Sequence, residues 1–557
     1  MGGICGKGSS TNEKPVNGTG SSNGQDLKKE SLKGHKASQE EVGLQTKKQF
    51  QQMWEHKNEL VQSDITFIWG LAIAYTDITK AYTFDTKEIG SGHYGIVRRA
   101  KLKIEPSKIY AVKSIEKKKL KGDITLLKNE LEMLRFTDHP NIIQFYEIYQ
   151  DSINYHFVME YCEGGDITTR VEKYGPMEEQ LAKNIIFQVL YAINNLHTCG
   201  IIHRDIKPDN FLFKSKDPLS VVKLIDFGLS KKFVTGNKMH TVLGTPYYVA
   251  PEVIDKKGYS EKVDLWSTGV MLYLLMAADF PFKGETHSEL FEKIRRGEYN
   301  MQVTEQLKAM SPVGRSLLRG LLEKNPETRL SAREALRHPW FDELNISLNE
   351  KGKKVLNKSL LSRLRRFRAE SKFCKEVIRL LVMIHDDSPQ VMQLKDAFFY
   401  LDVLDNGVIN DDELKKAFTD LGEEISDREI TEIIHGLELR TTNVITYTEF
   451  VTATIDGNFY KNEKYLTEAF NRFDIDQDKF ISYADVKDCF SRFGIELSKS
   501  DILKMISEFD ENSDLKISYE EFIKIMKRDF HQDSVISDRN ISKRASQQDA
   551  GLHFHPS

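Results

Sequence analysis

The sequence predicts an α+β unit of two lobes followed by an all-α domain. The first observation is that β-branched and aromatic residues with turn glycines prevail from Tyr82 to Cys162, whereas the stretch from there to Phe341 has a helical pattern. Strands followed by helices are typical of an α+β unit. The second observation is that residues 389–530 repeat a helix, an acidic loop and another helix four times, with a period of about 36 residues.

These patterns divide the 557 residues into five segments. We expect an N-terminal extension at 1–81, the two-lobed unit at 82–341, a basic connector at 342–388, the repeats at 389–530 and a polar tail at 531–557. The extension begins with a stretch rich in Gly, Ser, Asn and Lys. Such a stretch cannot bury enough apolar surface to offset the entropy of ordering, so we expect most of the extension to be disordered.

The composition argues against several classes of protein. A net charge of −4 gives no indication of nucleic-acid binding. The five cysteines are scattered and form no CxxC pair, which argues against a disulfide framework or a zinc site and favours a reducing compartment. The apolar run Ile65–Tyr75 is shorter than a membrane span, and no signal peptide is recognisable. We expect a cytoplasmic monomer.

A glycine-rich loop and a later lysine suit phosphate binding. Residues 90–97 read GSGHYGIV, and glycines let a backbone turn close over phosphate oxygens without Cβ clashes. Taken alone, this pattern also occurs in ordinary hairpins. Lys113 ends a following strand, where its ammonium can neutralise phosphates if a carboxylate holds it in place, and Glu130 is the candidate carboxylate.

Three further motifs follow in order along the chain. They are His203-Arg204-Asp205 with Lys207 and Asn210, then Asp226-Phe227-Gly228, then Ala250-Pro251-Glu252. With the glycine-rich loop and the lysine, they match the signature set of protein kinases. From Phe84 to Phe341 the sequence therefore resembles eukaryotic protein kinases, and the resemblance implies their bilobal fold.

The resemblance implies roles for the matching residues. Asp205 would accept the proton of the substrate hydroxyl, Lys207 would reach the transferred phosphoryl group, and Asn210 and Asp226 would hold magnesium ions. ATP would lie against Ile89, Gly90, Ser91, Gly92, His93, Tyr94, Gly95, Val97, Lys113, Glu130, Glu160, Cys162, Asp166 and Asp226. Lys207-Pro208-Asp209-Asn210 and Gly244-Thr245 look like the Ser/Thr class, so the implied reaction is transfer of the ATP γ-phosphate to protein serine or threonine.

Other kinase positions are expected to regulate or to stabilise. Thr241 lies where many kinases carry an activating phosphate, and Arg204 is the natural partner of such a phosphate. Asp264 and Arg329 are expected to stabilise the helical lobe, with Arg329 paired to Glu252.

The last two acidic loops have the oxygen ligands that calcium prefers. An EF-hand loop has twelve residues, with oxygen ligands at positions 1, 3, 5, 9 and 12 and Gly at position 6, where the chain turns with φ > 0. The third loop offers Asp474, Asp476, Asp478, Ser482 and Asp485, and the fourth offers Asp510, Asn512, Asp514, Ser518 and Glu521. Lys479 and Leu515 occupy position 6, and a non-Gly residue there costs about 1–2 kcal/mol. This lowers affinity without removing a ligand.

The first two loops depart further from the rule. The first offers Asp402, Asn406 and Glu413 but has Leu404 at position 3, so we expect at most a weak calcium site. The second loop has Arg440 at position 3, where a cation repels calcium, so we expect no binding there. A helix–loop–helix repeat without metal is the alternative for the second loop.

The order of kinase, connector and four hands resembles the calcium-dependent protein kinases of plants and apicomplexan protists, across residues 84–530. The resemblance implies ATP, Mg²⁺ and Ca²⁺ as cofactors, and activation by calcium. The departures at Leu404, Arg440, Lys479, Asp485 and Leu515 concern the number and strength of the calcium sites.

The connector is basic and carries an apolar stripe within residues 351–375, formed by Leu360, Leu361, Leu364 and Phe367. A basic amphipathic helix is a target that opened hands grip, and it can also block an acidic substrate groove. We therefore expect an autoinhibitory helix that calcium releases. A solvated basic face is the alternative.

The chain begins Met1-Gly2-Gly3-Ile4-Cys5-Gly6. Gly2 permits myristoylation and Cys5 can take palmitate, although the motif prefers Ser or Thr where Gly6 stands. Two acyl chains are needed for stable anchoring, so we expect attachment to a membrane surface through both, with an unmodified start as the alternative. Two rivals to a calcium-gated kinase are an inactive scaffold, which the complete catalytic set opposes, and a constitutive kinase with structural hands, which the last two loops oppose.

Overall fold

The computed structural model describes residues 77–91, 95–120, 125–232, 239, 245–367, 371–437, 443–492 and 497–528. Within these residues the mixed α+β class predicted from the sequence is confirmed, with a five-stranded sheet first and helices after it. No helix in this part of the chain is long and apolar enough to cross a membrane.

The first lobe is built on an antiparallel sheet with strand order β1-β2-β3-β5-β4. Lys113 of β3 pairs with Val97 of β2 on one side and with Phe157 of β5 on the other, so the lysine lies in the middle of the sheet. Leu131 and Leu134 of α2 are buried in the same apolar core as Phe157. The elements of this lobe are α1 (Ile78–Ala81), β1 (Tyr82–Ser91), β2 (Gly95–Leu102), β3 (Glu105–Glu116), α2 (Thr125–Phe136), β4 (Phe145–Gln150) and β5 (Asn154–Glu160).

The second lobe is mainly helical. Its central helix, Lys262–Ala277, is mostly apolar and is buried on all sides from Val263 onwards, so it lies in the middle of the core. The helices are α3 (Ile167–Tyr174), α4 (Glu179–Thr198), α5 (Pro251–Ile254), α6 (Lys262–Ala277), α7 (His287–Arg296), α8 (Glu305–Ala309), α9 (Pro312–Leu321) and α10 (Ala332–Leu336). The short strands form two-stranded ladders, one of β6 (Ile201–Ile202) with β9 (Lys231–Lys232) and one of β7 (Phe211–Phe213) with β8 (Val222–Leu224).

A buried ion pair holds the end of this lobe together. The guanidinium of Arg329 donates to both carboxylate oxygens of Glu252, at 2.7 and 2.9 Å. Bidentate pairs of this kind combine charge with fixed geometry. The pairing expected from the sequence is therefore present.

The connector is not one helix. It forms α11 (Asp342–Val355), α12 (Lys358–Phe367) and α13 (Lys372–Ile384). The break before α12 is stabilised by Asn357, whose side chain accepts from the Leu360 amide at 3.0 Å. Ser371 caps α13 in the same way, through the Cys374 amide at 3.2 Å. Such caps satisfy the free amides of a first helical turn. The basic amphipathic helix expected within 351–375 is therefore the short α12, which carries the apolar stripe.

Each of the four hands has two helices around its loop. They are formed by α14 (Pro389–Leu401), α15 (Asp411–Asp420), α16 (Asp427–Leu437), α17 (Tyr447–Thr454), α19 (Glu463–Phe473), α20 (Tyr483–Arg492), α21 (Lys499–Phe509) and α22 (Tyr519–Met526), with the short α18 (Gly457–Tyr460) between the two pairs of hands. The loops pair through β10 (Val408–Ile409) with β11 (Ile445–Thr446), and β12 (Phe480–Ile481) with β13 (Ile517–Ser518).

The hands share one apolar core with the connector. The stripe of Leu360, Leu361, Leu364 and Phe367 is buried in that core. The first pair of hands also reaches the kinase lobes, because Val408 and Val444 belong to the core of the kinase domain. The first pair of hands is thus packed on the two-lobed unit.

Candidate active site and calcium-binding loops

The lysine predicted to bind ATP is paired with its predicted carboxylate. Lys113 Nζ lies 2.5 Å from Glu130 Oε1 on α2 and 3.9 Å from Asp226 Oδ1. Burial opposes the charge on Lys113, but the two carboxylates outweigh it and raise the pKa of the ammonium. The lysine therefore stays positively charged, as phosphate binding requires.

The environment of Asp226 favours the ionised carboxylate, which is the form that binds a cation. Burial acts to raise the pKa of this carboxyl, but Lys113 and the Gly228 amide, which donates to Oδ1 at 2.9 Å, lower it below its usual value. An ionised carboxylate is the kind of ligand that magnesium prefers. The donor set of Asp226 and Asn210 fits magnesium.

The catalytic residues lie together around Asp205. Its carboxylate is 2.8 Å from Lys207 Nζ and accepts from Asn210 Nδ2 at 3.1 Å. The amide of Asn210 also donates to the Asp205 carbonyl at 2.7 Å. Thr245 bridges the pair, since its hydroxyl donates to Asp205 at 3.3 Å and accepts from Lys207 at 3.2 Å. Sequence reasoning used Thr245 only as a class marker, and its neighbour Gly244 lies outside the described residues.

Asp264 holds the catalytic loop in place, a role that sequence reasoning missed. It accepts from the backbone amides of His203 and Arg204, both at 2.9 Å, and hydrogen-bonds to His197 on α4 at 2.9 Å. Arg204 has φ of 67°, which is uncommon for a residue with a side chain. The buried carboxylate stabilises this unusual backbone directly before Asp205.

The glycine-rich hairpin is described on both sides of its tip. Gly90 pairs with Val97 and Ser91 with Ile96. Ile89, Gly90 and Ser91 thus lie on β1, and Gly95 and Val97 lie on β2, which pairs with the lysine strand β3. A Cβ at Gly95 would come within 2.2 Å of the Ser114 carbonyl oxygen, which excludes any other residue there. Gly92, His93 and Tyr94 lie outside the described residues.

The segment joining the lobes uses its side chains for structure. The Glu160 carboxylate is 2.8 Å from Lys223 and 3.3 Å from Lys214. Burial opposes its charge, but these ammonium groups lower the pKa of Glu160 to about 2. Cys162 is buried, and its thiol pKa is raised by that burial.

The carboxylate of Asp166 caps α3 by accepting from the Thr169 amide at 2.6 Å. The side chains of Glu160 and Cys162 are buried in the structure, so an adenine contact at these residues would have to come from their backbone groups. Thr241 lies outside the described residues. Arg204, its expected partner, donates to the Leu229 carbonyl at 2.7 Å.

The third loop gathers its acidic residues. One oxygen of each of Asp474, Asp476 and Asp478 lies within 4.8 Å of the others. Lys479 adopts φ of 74°, the left-handed turn that position 6 of the loop requires. Asp485, at position 12, accepts from the Ser482 amide at 2.9 Å and from Ile475 at 3.2 Å. The oxygen-only donor set fits calcium.

The fourth loop is built in the same way. Asp510 accepts from the amides of Asp514 and Leu515 at 3.2 and 2.8 Å. Glu521 accepts from Ser518 at 2.8 Å, and Asn512 accepts from Asp514 at 2.8 Å. Leu515 has φ of 63° and is 62% exposed, so burial of its side chain does little to offset the strain.

In the first loop, the candidate ligands make hydrogen bonds within the protein, and position 3 is apolar. Leu404 at position 3 is buried, and Glu413 accepts from the Leu404 and Asn410 amides at 2.9 and 3.1 Å. Asp402 accepts from the Asn406 amide at 2.9 Å and from the hydroxyl of Tyr191 in the kinase domain at 2.6 Å. Of the second loop, Arg440 and Thr442 lie outside the described residues.

An arginine of the third hand reaches the kinase sheet. Arg472, near the end of α19, is 3.3 Å from Glu147 on β4, and its guanidinium also donates to the hydroxyl of Tyr110 on β3. Lys113 lies on the same strand as Tyr110. Strand β3 thus contacts the third hand through Tyr110 and also carries Lys113, the lysine predicted to bind ATP.

Comparison with known proteins agrees with this geometry. Residues 84–341 match the family model of the protein kinase domain, and residues 391–455 and 463–527 each match that of an EF-hand domain pair. The kinase domain implies ATP and Mg²⁺, and the EF-hands imply Ca²⁺. With its catalytic residues together, the chain is a protein Ser/Thr kinase.

Several plant proteins are similar over most of their length. Calcium-dependent protein kinase 29 of Arabidopsis thaliana is 35% identical over 445 residues, which cover 79% of this chain and 82% of the relative. Calcium-dependent protein kinase 2 of Zea mays is 32% identical over 461 residues, 82% of this chain and 88% of the relative. The resemblance inferred from the motifs is confirmed, and the chain belongs to the calcium-dependent protein kinase family.

Proposed function

We propose that calcium activates this kinase by enabling the hands to hold the connector, which otherwise blocks the substrate groove. The observation that carries the proposal is the position of Phe373 on α13. Its ring centroid lies 4.9 Å from those of Phe473 and Phe509, which belong to the third and fourth hands. The two loops with the best calcium ligands thus belong to the hands that enclose this connector residue.

The basic side of the connector is matched by acidic side chains of the hands. Arg363 is 3.0 Å from Asp456, and Arg365 is 3.3 Å from Glu423 and 2.9 Å from Glu429. Arginines engaged in these ion pairs cannot bind another acidic surface at the same time. When the third and fourth hands release α13, these ion pairs still hold the connector, and their exchange for an acidic groove on the kinase gives the inhibited state in this proposal.

The arrangement with the connector held has an assembled active site. The Lys113–Glu130 pair is closed, and this pair must be in place for phosphoryl transfer. A ligand shifts an equilibrium only by its differential affinity for the two states. Calcium therefore has to bind the third and fourth loops more tightly when these hands enclose the connector.

In the reaction, Asp205 accepts the proton of the substrate hydroxyl, whose oxygen forms the new bond to phosphorus as the bond to ADP breaks. Lys207 and Thr245 orient the Asp205 carboxylate through the contacts described above. ATP supplies the phosphoryl group, and Asp226 and Asn210 would hold magnesium, which would neutralise the charge of its phosphates.

The test is a protein-kinase assay across a calcium titration. The full chain should be nearly inactive in a calcium chelator and active in excess calcium. Replacing Asp474 and Asp510 with Ala should raise the calcium requirement sharply or abolish activation. The matched control replaces Asp411 and Asp412, which are acidic and exposed at the start of α15, and should behave like the parent. Normal activation of the Asp474→Ala, Asp510→Ala double variant would reject the proposal.

Removal of the regulatory part tests inhibition separately from activation. A chain that ends at Phe341 lacks both the connector and the hands. It should be indifferent to calcium, and a calcium response from it would show that the gate lies elsewhere.

We also propose that the protein is a cytoplasmic monomer that attaches to membranes through acylation of Gly2 and Cys5, both outside the described residues. The sequence pattern at the N-terminus supports this. Gly2→Ala should abolish incorporation of labelled myristate and shift the protein to the soluble fraction, and Cys5→Ser should weaken membrane retention only. Light scattering should give the mass of one chain, and no change in fractionation of either variant would reject the membrane part.

A further inference from the structure

The first loop is attached to one face of a kinase helix. Tyr191 donates to Asp402 at 2.6 Å, Asn194 donates to the Asp405 carbonyl, and Asn195 donates to the Asn406 carbonyl at 2.9 Å. Positions i, i+3 and i+4 of a helix lie on one face. Three residues on one face of α4 thus contact positions 1, 4 and 5 of the loop.

A second kinase element holds the other side of the same loop. The guanidinium of Arg337, beside α10, donates to the Val403 carbonyl at 2.6 Å and lies 3.3 Å from the Asp405 carboxylate. Polar groups at loop positions 1, 2, 4 and 5 are therefore bonded to the kinase domain. Position 3 is Leu404, which is buried and has no oxygen in its side chain.

The second loop is attached to the segment between α2 and β4. The carboxylate of Asp138 accepts from the Thr446 hydroxyl at 2.7 Å, the Thr448 hydroxyl at 2.6 Å and the Thr448 amide at 3.1 Å. Thr446 is at position 9, a ligand position in a calcium loop. Its hydroxyl is also 2.9 Å from Glu449, the residue at position 12.

The two surfaces fit closely at Gly407. This residue has φ of 75°, and a Cβ built on it would lie 2.5 Å from Cδ2 of His139 and 2.6 Å from Nδ2 of Asn195. Only a glycine allows the loop backbone to approach the kinase so closely. The glycine at position 6 therefore serves the contact with the kinase as well as the turn.

We propose that the loops of the first two hands are a docking surface for the kinase domain of the same chain, and that this attachment does not require calcium. Asp402, which would face an ion in the first loop, is bonded instead to Tyr191 of the kinase domain, and position 3 has no side-chain oxygen. The interface is stabilised by hydrogen bonds to the carboxylates of Asp402 and Asp138, by Arg337 and by apolar contacts. Calcium then acts on the third and fourth hands only. This inference concerns the first pair of hands and does not depend on how the connector inhibits the kinase.

Hydrogen exchange of the full chain, in excess calcium and in a chelator, tests the proposal. Peptides that cover 402–410 and 443–449 should be equally protected in both conditions, whereas those that cover 474–485 and 510–521 should exchange faster in the chelator. Loss of protection in the first two loops on calcium removal would overturn the proposal. Native mass spectrometry should count two calcium ions per chain, and a third ion that is lost in Glu413→Gln would also overturn it.

Two glycine variants separate the docking contact from backbone strain. Gly407 and Gly422 both have positive φ, but a Cβ at Gly422 meets nothing within 4 Å. Gly407→Ala should speed exchange about tenfold in 402–410 and in the facing kinase segment 191–198, with and without calcium. Gly422→Ala should leave both segments unchanged, and equal behaviour of the two variants would contradict the docking role.

A polar variant covers the case in which Gly407→Ala does not fold. Asp138→Ala removes the acceptor of three hydrogen bonds and should speed exchange of 443–449. Its control is Asp387→Ala, an exposed carboxylate between α13 and α14. Unchanged protection of 443–449 in Asp138→Ala would show that the second loop is held by something else.

Discussion

Arg472 of the third hand and Glu147 of the kinase sheet form a buried ion pair of 3.3 Å, with side chains only 5% and 7% exposed. Removing one partner of such a pair leaves the other charge buried without compensation, which destabilises by about 3–5 kcal/mol. Arg472→Met should therefore weaken the contact between the third hand and β4, and lower kinase activity at saturating calcium at least severalfold.

The double variant Glu147→Gln, Arg472→Met provides the control for this prediction. It leaves no buried charge, so its activity and thermal stability should exceed those of Arg472→Met alone. Parent-like activity in the single variant would mean that the pair does not support the active sheet.

The charge pairs of the active site lead to a second prediction. Lys113→Met and Asp226→Asn should each lower phosphorylation of a peptide substrate by about a thousandfold or more, because both side chains act on phosphate charge in the transition state. Asp226→Asn should change the melting temperature little, whereas Lys113→Met should lower it, because Glu130 loses its buried partner. Lys118→Met, at an exposed lysine shortly after β3, is the matched control and should keep full activity. Substantial turnover in either active-site variant would reject the assignment.

Thr245 should matter through its hydroxyl alone. The group bridges Asp205 and Lys207, and loss of a hydrogen bond to a charged group costs about 1.5–3 kcal/mol. Thr245→Ala should lower kcat roughly tenfold or more, with little change in the KM for ATP, whereas Thr245→Ser should keep most of the rate. Steady-state kinetics measure both, and equal rates for the two variants would exclude the bridging role.

Calcium affinity should rise when the strain at position 6 is removed. Lys479 and Leu515 have φ of 74° and 63°, and a residue with a Cβ in that region costs about 1–2 kcal/mol. Lys479→Gly and Leu515→Gly should each raise the affinity of their loop by roughly tenfold, because the ordered loop is the form that binds. Isothermal titration measures this directly. Lys479→Ala and Leu515→Ala remove the side chain but keep the Cβ, so affinities like that of the parent are expected for them.

The kinase motifs could be located from the sequence because their residues lie at typical spacings within one domain. Lys113 and Glu130 were paired in this way, and the structure places them 2.5 Å apart. The break in the connector was missed because the sequence was read for the spacing of its apolar residues, and all four residues of the stripe lie after the break, on α12. Asn357 and Ser371 are ordinary helix-start signals, and their positions in the sequence could have indicated the three helices.

The contacts between the hands and the kinase could not be predicted from the sequence. Tyr191 and Asp402 are 211 positions apart in the chain, and neither has a pattern that points to the other. Leu404 indicated that the first loop is a poor calcium site, but a missing ligand does not say what replaces it. Only the structure shows that α4 of the kinase domain contacts this loop in place of an ion.

The helix α4 contacts both the first hand and Asp264, and this limits which substitutions the first hand can accept. Tyr191 and His197 are separated by about 9 Å along this helix; the first holds Asp402, and the second holds Asp264, on which the backbone before Asp205 depends. The first loop can therefore lose its affinity for metal without harm to phosphoryl transfer, whereas a substitution that displaces α4 disturbs the alignment of the catalytic base. Tolerated variants of this loop should be those that keep its contacts with Tyr191, Asn194 and Asn195, whether or not they bind metal.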